Sequence, residues 1–369
     1  MKIAIVVGTR PEIIKMSPII RHCQEKGVDF CIIHTGQHYS YSMDKAFFEE
    51  LSLPAAKYYL EVGSHLHGKQ TAKILERIEE VLANEKPDVV LVEGDTNSVL
   101  AGALAAAKLQ IKVGHVEACL RSYDKTMPEE INRIVADHAS EYLFAPTAEA
   151  RRIGLTENLP SEKIFVTGNT IVDAVLQNIK LAEKKEKNES IFDKTGIEKQ
   201  NYVLLTLHRQ ENVDDKERFS KILRGLELLH RELKVNIIYP IHPRTEKMLK
   251  MFNLELPEGV VAIPPVGFLD FLTLEKNAKL ILTDSGGVQE EACILNVPCV
   301  TLRNNTERPE TVQVGSNIVA GADPANIVEC SKTMLKSNRN WLNPFGDGRA
   351  AENIISIIQR DHHHKNTAK

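Results

Sequence analysis

The stretch TDSGGVQEEA, which begins at Thr283, sets an anion cradle close to two carboxylates. Ser285, Gly286 and Gly287 follow the apolar run KLILTDS and open a segment that reads as a helix. Their amides are laid out for a phosphate or diphosphate, and the Ser285 hydroxyl adds one more donor. The helix end contributes only about 0.3–2 kcal/mol as a dipole, so cations from elsewhere must complete the site. Glu290 and Glu291 follow within one turn. An anion would not choose that neighbourhood unless the ligand also carries groups that donate to a carboxylate.

A second constellation is acidic. Asp95 and Glu117 end the neighbouring runs DVVLVEGD and KVGHVEA, and Glu129, Glu130 and Arg133 lie on the helix that follows. Carboxylates gathered at half-buried positions raise one another's pKa, which suits proton transfer. Two competing readings are structural. Glu129 and Arg133 are spaced for a helix-face ion pair, and Asp95 could cap the helix TNSVLAG.

The first strand ends in VVGTRPE, with no GxGxxG. Arg10 and Pro11 would obstruct a dinucleotide pyrophosphate at that turn, so bound NAD is not expected. Arg10 is instead placed to pair with a phosphate. Lys15 either joins it or lies on a solvated helix face.

These residues need a frame, and the chain supplies an alternation of short apolar runs with helical segments. The runs KIAIVVG, DFCIIHTG, DVVLVEGD, KVGHVEA, EYLFAPT and KIFVTGNT precede a charged stretch from about Asn178, KLAEKKEKNESIFDKTGIEKQ. The pattern then restarts with YVLLTLH, VNIIYPIH, VVAIPPV, KLILTDS, PCVTLR and SNIVAG. Several runs are apolar on both faces, as parallel strands covered on each side must be. This predicts an α/β chain of two doubly wound, Rossmann-like domains facing across a cleft. The first is expected over 1–175 and the second over 176–349, with a C-terminal helix at about 350–369 packing back on the first. Ligands of such sheets bind beyond the strands' carboxyl ends. There the sequence places Gly8-Thr9-Arg10, Thr35-Gly36-Gln37-His38, Gly94-Asp95-Thr96, His115-Val116-Glu117 and Gly168-Asn169-Thr170. The second half adds His208-Arg209, His242-Pro243-Arg244 and Asp284-Ser285-Gly286-Gly287.

Composition narrows the class. A chain of 369 residues with net charge −4 and 26% charged residues carries no nucleic-acid footprint. Its six cysteines form no CxxC pair and read as reduced core thiols. No run is long enough to cross a bilayer, and MKIAIVVG is too short for a signal peptide. A soluble cytoplasmic protein is expected, with no membrane or nucleic-acid partner. The adjacent histidines of DHHHKNTAK read as a terminus rather than a metal site.

Taken in order, GTRPEIIKMSPII, EGDTNSVLAGALAA, GHVEACLRS, MPEEINR, FAPT, VTGNTIVDA, LTLHRQEN, TDSGGVQEEA and TERPE make the chain resemble the non-hydrolysing UDP-N-acetylglucosamine 2-epimerases over nearly its whole length. The resemblance implies a GT-B-like fold and reversible epimerisation of UDP-N-acetylglucosamine to UDP-N-acetylmannosamine, by elimination of UDP and its re-addition to 2-acetamidoglucal. It implies Asp95, Glu117, Glu129 and His208 as catalytic residues. Arg10, Lys15, Arg133, His242, Ser285, Gly286, Gly287 and Glu291 would lie near the nucleotide. It further implies no NAD and no metal, a UDP-sugar as substrate, a homodimer, and a place in cell-surface polysaccharide synthesis.

Two segments depart from the family pattern. Where bacterial relatives carry a QHR motif for an activating second UDP-sugar, this chain reads GQHYSYSMDKAFF and keeps only Gln37 and His38. The segment after His242 is PRTEKM, which weakens the role given to that histidine. The alternative function is a GT-B glycosyltransferase, since the same fold and SGG…E site would bind its UDP-sugar. What separates the two is the carboxylate set, because inversion at C2 needs acid–base groups on both faces. With UDP as ligand, TDSGGVQEEA becomes coherent: the amides take the diphosphate and Glu291 accepts from the ribose hydroxyls. Glu290 is left as a first-turn acid.

Overall fold

The computed structural model describes residues 1–37 and 41–367. The chain divides into an N-terminal unit, Met1–Gln177 with Phe345–Lys369, and a C-terminal unit, Asn178–Pro344.

The N-terminal unit holds seven parallel strands: β1 (Lys2–Val7), β2 (Asp29–His34), β3 (Tyr58–Tyr59), β4 (Val89–Glu93), β5 (Lys112–Val116), β6 (Tyr142–Ala145) and β7 (Ile164–Val166). Their order is β3-β2-β1-β4-β5-β6-β7. It reverses between β1 and β4, which pair from Ile3↔Val89 to Ile5↔Leu91. The C-terminal unit holds β8 (Tyr202–Thr206), β9 (Asn236–Pro240), β10 (Val260–Ile263), β11 (Leu280–Thr283), β12 (Cys299–Thr301) and β13 (Asn317–Val319). Their order, β10-β9-β8-β11-β12-β13, reverses between β8 and β11, where Thr283 pairs with Thr206. Both sheets are therefore doubly wound in the Rossmann-like manner. Every apolar run named above becomes a strand. The one not anticipated, β3, is two tyrosines long and too short to carry a pattern.

Helix ends next to the switch points explain the local geometry. The helix Arg10–Lys26 starts at Thr9 with a capping box: Glu12 reaches back to the Thr9 backbone N–H at 3.0 Å and also takes that of Gly8. The helix Asn97–Lys108 is capped by the Thr96 hydroxyl, which accepts from Ser98 and Val99. The cap is therefore Thr96 and not Asp95. That helix is rich in alanine because it lies close on the sheet: a Cβ on Gly102 would meet Val92 at 3.1 Å.

The charged stretch after Asn178 opens as the end of a helix. The helix Thr170–Asn188 continues through the division between the units. The C-terminal helix Ala350–Thr367 belongs to the N-terminal unit, where Asp173 accepts the backbone N–H groups of Ala350 and Ala351 at 3.2 and 3.0 Å. Among the described residues no helix is long and apolar enough to span a membrane.

Candidate functional site

In the N-terminal unit, two carboxylates at the ends of adjacent strands are each held by a cation. Asp95, just past β4, is ion-paired and hydrogen-bonded to Arg133. Glu117, just past β5, is ion-paired to Lys15, whose Nζ also lies 3.3 Å from Glu93 Oε1 at the end of β4. The Lys15 side chain is 13% exposed, so it does not lie on a solvated helix face. Glu117 has φ +64°, as does nearby Cys119 at +66°. A left-handed backbone at a non-glycine residue is strained, and such strain collects where a side chain must be aimed.

Arg133 also bonds Glu130 at 3.1 Å, and not Glu129, so the anticipated Glu129–Arg133 helix pair is absent. The reason lies in Glu130: it is buried, accepts the backbone N–H groups of Ser122 and Tyr123 at 2.9 Å each, and draws the guanidinium inward. Glu129 stays half-buried in the first turn of the helix Pro128–Ala139.

Beneath Glu117 lies a buried network. His115 Nδ1 is 2.7 Å from Asp137 Oδ1 and Nε2 is 2.8 Å from the Gly94 carbonyl. Both partners only accept, so the ring carries both protons. Burial opposes that charge, but Asp137 and the Gly94 carbonyl outweigh it and raise the imidazole pKa. Asp137 is also paired to Arg121 at 2.7 Å and accepts from the Cys119 backbone at 3.1 Å. The result is a rigid floor under both strand ends.

Two further acids sit in the same layer. Burial pushes the Glu12 carboxyl up to about 7, against hydrogen bonds from Thr96, Gly8 and Thr9. Burial likewise holds Glu93 well above the carboxylate range, with Lys15 opposing and Glu117 adding to the rise. Arg10 sets its guanidinium 5.3 Å from the Phe47 ring centroid.

In the C-terminal unit, a cavity of about 270 Å³ opens at the ends of β8, β9 and β11. Pro240, Ile241, Pro265, Val266 and Phe271 give it apolar walls, and His208, His242 and Ser285 supply polar groups. The size and lining suit a planar base more than a bare anion. Asp284, fully buried, organises the β8 end: Oδ2 accepts the backbone N–H groups of His208 and Arg209 at 3.0 and 2.8 Å and the Asn212 amide at 3.1 Å. The His208 and His242 rings lie 5.7 Å apart. His242 caps the helix Pro243–Phe252 by accepting from the Arg244 N–H at 3.1 Å.

Ser285 is the N-cap of the helix Gly286–Ile294 yet makes no capping bond with its side chain. Neither following glycine is required by the fold. A Cβ on Gly286 would meet nothing nearer than Glu307 Oε2 at 3.7 Å, and one on Gly287 nothing nearer than Ser285 Oγ at 3.9 Å. Space is kept open over the amides, as a cradle for a ligand requires.

The chain matches the family model described as UDP-N-acetylglucosamine 2-epimerase over residues 21–359. The chain belongs to the UDP-N-acetylglucosamine 2-epimerase family. It is 58% identical to the UDP-N-acetylglucosamine 2-epimerase of Methanocaldococcus jannaschii over 362 residues, 97% of this chain and 99% of the relative. The crystal structure of a Methanocaldococcus jannaschii UDP-GlcNAc 2-epimerase in complex with UDP-GlcNAc and UDP superposes with a TM-score of 0.87 at 57% identity, covering 98% of this chain and all of that one. That of Neisseria meningitidis bound to UDP-GlcNAc gives 0.85 at 32% identity, again over 98% of this chain and all of the other.

Within this epimerase family frame, the residues anticipated from sequence fall into two groups. Lys15, Asp95, Glu117 and Arg133 converge in the N-terminal unit, with Arg10 on the first turn after β1. His208, His242, Ser285, Gly286 and Gly287 converge in the other. Glu291 lies one helix turn from Gly287 and is buried. Glu290 is not a first-turn acid: it is the fifth helix residue, buried, and paired with Arg308 at 2.7 Å. At the β7 end the Asn169 backbone N–H donates to the Phe345 carbonyl at 2.8 Å. Thr35 and Gln37 are likewise tied to Ser98, at 2.8 Å each, while His38 lies outside the described residues. Sequence reasoning missed Glu12, Glu93 and the His115–Asp137 pair. Only Glu12 had a signal, the capping-box spacing from Thr9.

Proposed function

We propose that this protein interconverts UDP-N-acetylglucosamine and UDP-N-acetylmannosamine by inverting C2. The observation that carries the reading is the placement of Asp95 and Glu117 at the ends of hydrogen-bonded neighbours β4 and β5, each neutralised by its own cation. A transferase needs one base for an acceptor. Inversion at carbon needs a base on one face and a proton donor on the other, and two carboxyl groups at neighbouring strand ends are what this sheet offers.

A base among Asp95, Glu117 and Glu129 takes the C2 proton. The C2–H electron pair forms C1=C2, and the C1–O bond breaks with its pair leaving on UDP. A second of these groups, carrying a proton at that stage, gives it to C2 on the opposite face. The C1=C2 pair forms the new C2–H bond and a UDP oxygen lone pair re-forms the bond to C1, after which both carboxyl groups re-equilibrate their protons with solvent. Each positioned acid–base group contributes roughly 10²–10⁴-fold. Lys15 and Arg133 hold the Glu117 and Asp95 carboxyl groups in position. In the C-terminal unit the cavity takes the uracil, Ser285, Gly286 and Gly287 take the diphosphate, and Glu291 accepts from the ribose. Arg10, His208 and His242 answer the charge that builds on UDP as it leaves.

The test is product identity. Incubation with UDP-N-acetylglucosamine should yield UDP-N-acetylmannosamine at equilibrium without an acceptor sugar. UDP release that depends on an added acceptor, with no epimer formed, would favour the glycosyltransferase instead.

A further inference from the structure

One buried acid near the nucleotide end has no role in the chemistry above. Glu275, in the last turn of the helix Phe268–Lys276, is fully buried, and no hydrogen-bond donor reaches either of its carboxyl oxygens. It sits beside an apolar cluster that includes Leu274, Ile281, Val288 and Cys299. An ionised carboxylate in such a place, without donor or cation, is strongly disfavoured.

The groups that face it decide what it does. Tyr202 and Cys299 both feel its charge, and burial keeps both neutral. The Tyr202 hydroxyl is committed to the Leu274 carbonyl at 2.5 Å. The remaining neighbour is the Glu291 carboxyl, within hydrogen-bonding reach on the helix Gly286–Ile294, which packs against Glu275's own helix. Burial, reinforced by Glu291, holds the Glu275 ionisation well above the carboxylate range. Two acids in contact, one of them fully enclosed, share one negative charge. Glu291, 8% exposed, is the less enclosed of the two, so the shared proton belongs on Glu275.

The geometry points to Glu275 as a carboxylic acid that donates its proton in a hydrogen bond to Glu291, fixing that carboxylate to accept from the ribose hydroxyls and thereby setting ribose specificity. Glu275 is a positioning residue, and its role rests on the assignment of Glu291 to the ribose. One Glu291 oxygen takes the Glu275 proton, which fixes the orientation of the Glu291 carboxylate. A neutral amide at 275 could replace the acid as donor; an apolar side chain could not.

Titration calorimetry with UDP and 2′-deoxy-UDP separates the two claims. E291Q should collapse the preference for UDP. E275M should lower the UDP to 2′-deoxy-UDP affinity ratio by at least about tenfold. E275Q should hold that ratio within about threefold of wild type. If E291Q loses the preference while E275M keeps it, or if E275M weakens both ligands equally, the positioning role is overturned and the Glu291 assignment stands. A full preference in E291Q would instead overturn the ribose assignment itself. Infrared difference spectra read the acid directly. The wild-type minus E275Q difference spectrum at neutral pH should carry a buried protonated-carboxyl stretch in addition to the Glu12 and Glu93 bands common to both; no such band in the difference contradicts the inference even should E275M not fold.

Discussion

His208 Nδ1 lies 3.4 Å from Asp284 Oδ1, across the point where the strand order of the C-terminal sheet reverses, and the other oxygen of that carboxylate accepts His208's own backbone N–H at 3.0 Å. The ring thus lines the cavity of the C-terminal unit beside a buried carboxylate. Burial pushes its pKa down, His242 and Arg209 push the same way, and Asp284 only partly restores it. His208 is therefore mostly neutral in the free protein at neutral pH. A bound diphosphate adds the counter-charge the ring lacks and raises its pKa.

UDP binding should accordingly take up a proton, and affinity should increase as pH falls through the His208 pKa of the complex toward the lower pKa of the free protein. Calorimetry in buffers of different ionisation enthalpy measures that uptake, and H208Q should abolish it. Proton release on binding would contradict this reading of His208.

Lys15 stands between Glu93 and Glu117. K15M leaves Glu117 beside buried Glu93 without its ammonium partner, which disfavours the charged form, so Glu117 is less often ionised to act as a base. Turnover should fall by about 10²–10⁴-fold. UDP affinity, to which Lys15 makes no contribution when its ammonium is engaged with Glu117, should change less than about threefold. Equal losses in both would place Lys15 on the nucleotide.

Glycines distinguish folding from binding. G286A and G287A meet no close protein atom and lie in a helix, so stability should hold or rise by up to about 1 kcal/mol. UDP affinity should nevertheless drop at least about tenfold, because the methyl occupies the ligand's approach to the amides. G8A is the contrast: its Cβ would overlap the buried Ser98 and Thr35 hydroxyls. It should cost about 1–3 kcal/mol in denaturant unfolding.

Glu12 predicts a pH-dependent stability. Its folded pKa is about 7 against 4.5 for the free side chain, so the folded state binds the proton more tightly. The stabilisation is complete below about pH 4.5 and lost as pH rises through about 7, worth about 3 kcal/mol at full burial. E12Q keeps an acceptor for the Gly8 and Thr9 N–H groups but removes that slope. Urea unfolding across the interval should show a flatter profile than wild type; identical slopes would remove Glu12 as the cause.

Strands were legible because each is buried on both faces and bounded by glycine or polar residues, as DVVLVEGD and KLILTDS show. Candidate site residues at strand ends followed from that frame. Pairings did not follow, because they depend on residues distant in sequence. Asp95 and Arg133 meet only when β4 and the helix after β5 are packed, and Arg133 turns to Glu130 because Glu130 is itself anchored to a loop. Glu290 reads as a helix acid until Arg308 is seen beside it. Glu275 looks like any solvated helix glutamate, since nothing in FLTLEKNAK shows which face the last turn buries.

The most direct test of C2 inversion is the C2 proton itself. UDP-N-acetylglucosamine incubated with the protein in heavy water, and followed by proton NMR, should acquire deuterium at C2 in both UDP-N-acetylglucosamine and UDP-N-acetylmannosamine, with E117Q and D95N slowed by about 10²–10⁴-fold. A C2 proton that stays in place while UDP and a free sugar accumulate would contradict it.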